Sequence, residues 1–98
     1  MPNQPQQLQI KGSDEVLRGV YSNALQLTHT QQEVLFDFFN LLPPQPQLVS
    51  RVITSPAHAK QILAALADNL KKYEAQFGAI TAAPAPSGDF GFSSRSAT

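Results

Sequence analysis

The sequence contains no cysteine and no tryptophan, and only 14% of its 98 residues are charged. Without cysteine, disulfides, thiolate metal sites and a cysteine nucleophile are all excluded. Seven basic residues are balanced by seven acidic ones, so the chain lacks the clustered positive charge with which nucleic-acid-binding proteins neutralise phosphates. The composition predicts one domain, and it does not favour a nucleic-acid partner.

Long hydrophobic runs are also missing from the sequence. No segment approaches the roughly 18 consecutive apolar residues that a membrane-spanning helix needs. The first residues, MPNQPQQ, have neither the basic patch nor the apolar centre of a signal peptide. We therefore expect a cytoplasmic protein that does not contact a membrane.

Residues suited to catalysis or to metal binding are few. Glycine occurs five times without forming a phosphate-binding loop, and the two histidines, His29 and His58, have no nearby cluster of further ligands. Ser55 lies close to His58 in sequence, but no third group is available to orient such a base. The sequence predicts a protein that is not an enzyme and has no catalytic residue, metal or cofactor.

Both ends of the chain are expected to be disordered tails. Residues 1–7 are mostly Pro, Gln and Asn, and residues 81–98 are rich in Pro, Ala, Ser and Gly. Phe90 and Phe92 fit either a solvated tail or a docking segment. Residues 8–80 remain as a single domain, and at that length a hydrophobic core is marginal and often needs a partner subunit.

A helix with clear boundaries is predicted to begin at SPAHAK. Ser55 suits the N-cap, because its hydroxyl can accept from an open amide of the first turn, and Pro56 suits the first helical position. Gly78 suits the C-cap, where a left-handed backbone is common. The apolar residues between these caps fall on one helical face. They are Ala59, Ile62, Leu63, Leu66, Leu70, Tyr73 and Phe77.

Upstream of this helix the hydrophobic period changes to two, which is typical of strands with one buried face. Three segments show it: GVYSNALQLTH, EVLFDFFNLL and QLVSRVIT; an earlier segment, QLQIKG, is expected to add a fourth strand. The short link at residues 30–32 suits a hairpin, and PPQPQ cannot continue a ladder of hydrogen bonds. The sequence thus predicts an α+β domain, an antiparallel meander of three or four strands with one C-terminal helix packed on one face.

The register of the strands decides what each sheet face carries. If Leu25 and Leu27 share a face with Phe36 and Phe38, that face is nearly all apolar, and we expect the helix to pack on it. The spacing of the apolar residues along the helix, its apolar stripe, also fits a short coiled-coil seam. The opposite face is then too apolar for open exposure in a monomer and is predicted to be an interface. Its residues are Leu35, Asp37, Phe39, Leu41, Val49, Arg51 and Ile53.

Asp37 is an acid placed among phenylalanines, and Arg51 falls on the same face within one register step of it. A charge pair in such a surface adds little net stability but can fix the geometry of pairing. We interpret Asp37 as one half of a structural or interface ion pair with Arg51, and not as a catalytic carboxylate.

Four segments carry a resemblance to a family. GVYSN at residues 19–23, EVLFDF at 33–38, RVITSPAHAK at 51–60 and NLKKYEAQFGAI at 69–80 resemble prokaryotic domain-of-unknown-function family 3467. The resemblance covers about residues 12–80 and implies a small bacterial domain of three strands and a helix, without an established activity. The positions that match the family pattern, with no role implied, are Tyr21, Asn23, Glu33, Asp37, Arg51, Ser55, Pro56, His58, Tyr73 and Glu74.

Two classes of function follow as hypotheses. The first is a self-associating protein-binding or structural module, homodimeric or larger, with a holdase similar to the export chaperone SecB as a variant. The second is a nucleic-acid accessory protein that uses Lys60, Lys71, Lys72, Arg51 and Tyr21. Added salt separates them, because phosphate binding weakens steeply with salt whereas apolar association does not.

Overall fold

The computed structural model describes residues 8–81 as an antiparallel sheet followed by a long helix. The sheet has the order β1-β2-β3 and is a simple meander. The predicted α+β class is confirmed, with three strands. The predicted tail segments 1–7 and 81–98, with Phe90 and Phe92, lie outside the described residues except for Thr81. The elements are α1 (Asp14–Arg18), β1 (Ala24–His29), β2 (Val34–Asn40), β3 (Gln47–Thr54) and α2 (Pro56–Phe77).

The first hairpin joins β1 to β2 through a turn at residues 30–33. The Thr30 hydroxyl accepts from the amides of Gln32 and Glu33 at 3.2 and 3.1 Å, and the Thr30 amide donates to the Glu33 carbonyl at 2.9 Å. This turn sets Leu25 opposite Phe38 and Leu27 opposite Phe36. The predicted register of the hairpin, and hence the apolar face it creates, is confirmed.

The second pair of strands, β2 and β3, contains a one-residue irregularity. Phe38 is opposite Ser50, but Phe39 is opposite Leu48, so that Val49 is the extra residue of a bulge. The alternation predicted for β3 is interrupted there, and Leu48 is the direct neighbour of Phe39. The bulge leaves Asp37 directly opposite Arg51.

The N-terminal segment differs from the prediction. The described residues of QLQIKG, 8–12, do not add a strand, and the short helix α1 follows them instead. The Ser13 hydroxyl accepts from the Val16 amide at 3.2 Å, and Asp14 and Glu15 occupy the first turn, where negative charge is favourable. These local signals favour a helix start after residue 12.

Helix α2 has the predicted limits, but it leaves its apolar stripe open. The Ser55 hydroxyl accepts from the His58 amide at 3.1 Å, and the Gly78 amide donates to the Glu74 carbonyl at 2.9 Å. No residue of α2 is buried, and Leu63 is 68% exposed. The link from β3 is Ser55 alone, which is shorter than most strand–helix connections and restricts folding back over the sheet. The expected seating of the helix on the apolar face is not observed in the single chain.

Candidate interaction surface

Asp37 and Arg51 form a two-pronged ion pair across β2 and β3. Arg51 Nε donates to Asp37 Oδ1 at 2.6 Å, and Arg51 Nη2 donates to Asp37 Oδ2 at 3.0 Å. Both residues sit at directly opposed positions of the two strands, so the pairing of the strands places the guanidinium next to the carboxylate. The predicted meeting of these two residues is thus observed.

The two partners of this pair differ sharply in burial. The Asp37 side chain is 3% exposed, whereas the Arg51 side chain is 45% exposed. The hydrogen bonds that Arg51 donates to Asp37, and then the negative charge of Asp37, raise the pKa of Arg51 above its ordinary value. The stabilisation linked to that raised pKa is present at every pH below the ordinary arginine pKa and is lost only above it. The guanidinium therefore compensates the buried carboxylate throughout the physiological range.

A third polar residue, which the sequence analysis did not single out, lies on the other side of Asp37. Gln26 of β1 is directly opposite Asp37, so Gln26, Asp37 and Arg51 form a polar row across all three strands. The Gln26 side-chain oxygen is buried and has no hydrogen-bond partner among the described residues. Alternation in β1 could have suggested this placement, because Gln26 separates Leu25 from Leu27.

The face predicted as an interface is only partly open in one chain. Asp37 and Phe39 are buried, whereas Arg51 and Ile53 are exposed. The three other residues of the predicted interface are half-buried: Leu35, Leu41 and Val49. On this face Leu35 is directly opposite Ile53 and Asp37 is directly opposite Arg51, whereas Leu48, and not Val49, is opposite Phe39.

Three family-pattern residues lie at or near the ends of β1. The Asn23 amide donates to the Phe39 carbonyl, and its side-chain oxygen accepts from the Leu41 amide, both at 2.9 Å. Tyr21 is exposed and lines an open groove of about 490 Å³ with Val20, Ser22, Phe38 and Ser50. Glu33 closes the turn at the opposite end of the hairpin. Asn23 thus extends the pairing of β1 with β2 beyond the last strand residue.

The remaining family-pattern residues lie in or beside α2. Ser55 and Pro56 begin the helix, and His58 Nδ1 lies 2.9 Å from Gln61 Oε1. Near its end, the Tyr73 and Phe77 rings lie 5.0 Å apart, and Glu74 Oε2 accepts from the Ile80 amide at 2.8 Å. These residues therefore lie at the two ends of the helix, Ser55, Pro56 and His58 at its start and Tyr73 and Glu74 near its end.

Besides the N-terminal segment, where Leu8, Ile10, Val16 and Leu17 are exposed, two surfaces carry open apolar side chains. The first is the stripe of α2, where Phe77 is 65% exposed. The second is the sheet face that carries Leu25, Leu27 and Val52, which are all exposed. Because neither surface covers the other, both leave large apolar side chains exposed within residues 8–81.

Residues 8–81 contain neither a metal-binding cluster nor a membrane-spanning helix. No three or more His, Asp or Glu side chains are grouped closely enough there to hold a metal ion. Neither helix in that span has the length and apolar character needed to cross a membrane.

Comparison with known proteins leads to one family. No curated protein and no solved structure is detectably similar to the chain. The sequence profile of the family described as protein of unknown function (DUF3467) matches residues 1–82, which includes the whole sheet and both helices. The resemblance seen in the four sequence segments is confirmed, and the chain belongs to the DUF3467 family.

Proposed function

We propose that this protein is a self-associating module that acts by binding and not by catalysis, and that a second copy of the chain completes its hydrophobic core. The observation that carries the proposal is the small core of the single chain. Among residues 8–81 only two apolar side chains, Ala24 and Phe39, are buried. A domain of this length normally buries more than half of the surface its unfolded chain exposes.

The positions of the open apolar residues support a partner of the same kind. The stripe of α2 and the face bearing Leu25 and Leu27 are both on this chain, so two copies offer matching apolar surfaces without any further component. A symmetric pair also buries each surface twice, as is usual in homodimers. The area required for a stable complex, about 800 Å² per partner, is within reach of a stripe that follows a 22-residue helix.

Sedimentation equilibrium on the purified full chain tests the proposal. From low to high micromolar concentration we expect a mass of at least twice 10.6 kDa, and added salt should leave that mass unchanged or increase it. Leu66→Glu should shift the protein toward monomer, because it places a charge within the stripe. Ala75→Glu adds the same charge on the opposite side of α2 and serves as the matched control. A monomer mass for the parent chain at every concentration contradicts the proposal.

The holdase variant draws on the same exposed side chains. A holdase presents apolar surface to unfolded chains, and the open sheet face and α2 stripe are surfaces of that chemistry. Suppression of the thermal aggregation of an unrelated client, measured by light scattering, distinguishes this role. Nucleic-acid binding has less support, since Arg51 is bonded to Asp37 and Lys72 lies 3.2 Å from Asp68.

A further inference from the structure

The apolar stripe of α2 has the spacing of a helix–helix seam. With Ile62 set aside, its positions follow one another in steps of four, three, four, three and four residues, and no residue of the helix is buried in the single chain. At 1.5 Å per residue the 22-residue helix is about 33 Å long. Its length and spacing therefore suit pairing with another helix along three turns or more. The seam residues are Ala59, Leu63, Leu66, Leu70, Tyr73 and Phe77.

Two opposite charges lie along one side of this seam. Lys60 directly follows Ala59 and Glu74 directly follows Tyr73, so both occupy the same flanking position, two heptads apart. Ala67 occupies that flanking position midway between them. Lys60 has no ion pair among residues 8–81, and Glu74 uses Oε2 to accept from the Ile80 amide, which leaves Oε1 available as an acceptor.

The direction of pairing decides whether these charges meet. In a parallel pair, Lys60 of each chain lies level with Lys60 of the other, and Glu74 is about 21 Å further along. In an antiparallel pair centred near residue 68, Leu66 meets Leu70 of the partner subunit, and small Ala59 meets large Phe77 of the partner subunit. Lys60 then lies opposite Glu74 of the partner subunit, and the contact occurs twice by symmetry.

We infer that α2 pairs antiparallel with α2 of a second copy, and that two Lys60–Glu74 contacts between subunits set this direction. The inference rests on the proposed self-association and adds to it the surface and the orientation. Ion pairs at such flanking positions contribute modestly to affinity, but they select among alternative pairings, because the wrong direction leaves the charges unmatched.

Charge reversal tests the orientation with the full chain. K60E alone sets two carboxylates against each other at each contact, and E74K alone sets two ammonium groups against each other. Each variant should therefore form homodimers roughly three- to tenfold more weakly than the parent. A mixture of the two variants restores both opposite-charge contacts in the heterodimer. With one variant labelled with ¹⁵N, native mass spectrometry should show heterodimers well above the one half of dimers expected from random pairing.

The matched control is a mixture of K71E with E74K. Its two variants have the same net charges as those of the first mixture, but Lys71 lies away from the seam. The heterodimer of K71E with E74K keeps one of the two Lys60–Glu74 contacts between subunits and loses the other. It should therefore pair close to randomly. High salt should remove the preference in the first mixture.

The outcomes separate the two proposals. Dimeric parent protein with random pairing in both mixtures overturns the antiparallel contact and leaves self-association standing. A monomeric parent protein overturns self-association and the contact with it. Equal heterodimer excess in both mixtures indicates attraction between net charges only, and it also overturns the inference.

Discussion

Asp37 and Arg51 face each other across the central and third strands, with the carboxylate buried and the guanidinium nearly half exposed. This asymmetry means that the two residues depend on each other unequally. Arg51 can exchange Asp37 for water, whereas the Asp37 carboxylate is held away from water and needs a donor. The main effect of the ion pair is therefore to offset the free-energy cost of burying the Asp37 carboxylate at the centre of the sheet.

The first prediction follows from this asymmetry. Arg51→Ala should lower the melting temperature by more than about 10 °C, because it leaves an uncompensated buried carboxylate. Asp37→Ala should lower it by roughly half as much, because the remaining guanidinium can be hydrated. Replacing both by Leu and Met should recover much of the loss. Thermal melts of the four proteins measure these effects, and strictly additive losses would show that the two side chains act independently.

The second prediction concerns the start of α2. Ser55→Ala should reduce the free energy of unfolding by about 1 kcal/mol, since it removes the acceptor for the His58 amide. Ser55→Asp keeps an acceptor at the N-cap and should stay close to the parent. Urea unfolding followed by circular dichroism provides the measurement. A loss of stability in Ser55→Asp equal to that in Ser55→Ala would contradict a capping role.

Local signals in the sequence were sufficient for β3 and for the main helix, whereas the strand predicted from GVYSNALQLTH begins only at Ala24. Alternation over QLVSRVIT gives the same bounds as β3, and the Ser55, Pro56 and Gly78 signals give the limits of α2. The period-two pattern excludes a shift of one residue, which would separate the large apolar residues onto two faces, and the short link at residues 30–32 limits the larger shifts, so that Leu25 pairs with Phe38. These features depend on a few neighbouring residues, which the sequence shows directly.

The features that the sequence did not predict depend either on segments too short to show a periodic pattern or on contacts between residues far apart in sequence. Helix α1 has five residues, too few for a periodic pattern, although Ser13 with Asp14 and Glu15 was an available signal. The bulge at Val49 inserts one extra residue into β3, and no distinctive residue type in the sequence marks its position. The position of α2 relative to the sheet depends on the one-residue link at Ser55 and on which surface packs against the apolar face of the helix. The hydrophobic period of a segment determines neither.

The third prediction concerns Asn23 at the start of β1. Asn23→Ala should reduce the free energy of unfolding by about 1 kcal/mol, because the Leu41 amide loses its acceptor. Asn23→Asp retains an acceptor oxygen and should retain most of the stability. Hydrogen exchange should be faster at the Leu41 amide in Asn23→Ala than in Asn23→Asp. Unchanged exchange at Leu41 in both variants would show that this bond does not hold the strand end in solution.

The last prediction concerns Gly78, whose φ of 95° lies in the region that side chains rarely adopt. Nothing lies within 4 Å of the position a Cβ would take, so the cost of Gly78→Ala comes from the backbone and not from crowding. We expect a loss of about 1 kcal/mol in unfolding free energy, together with fraying of the last turn, where Glu74 Oε2 accepts from the Ile80 amide. Gly12→Ala is the matched control, since a Cβ there would meet only the flexible Leu17 side chain, at 3.2 Å. Equal stability of the two variants would mean that the helix end adjusts to an ordinary backbone conformation, and that the stop after Phe77 is set by the residues that follow.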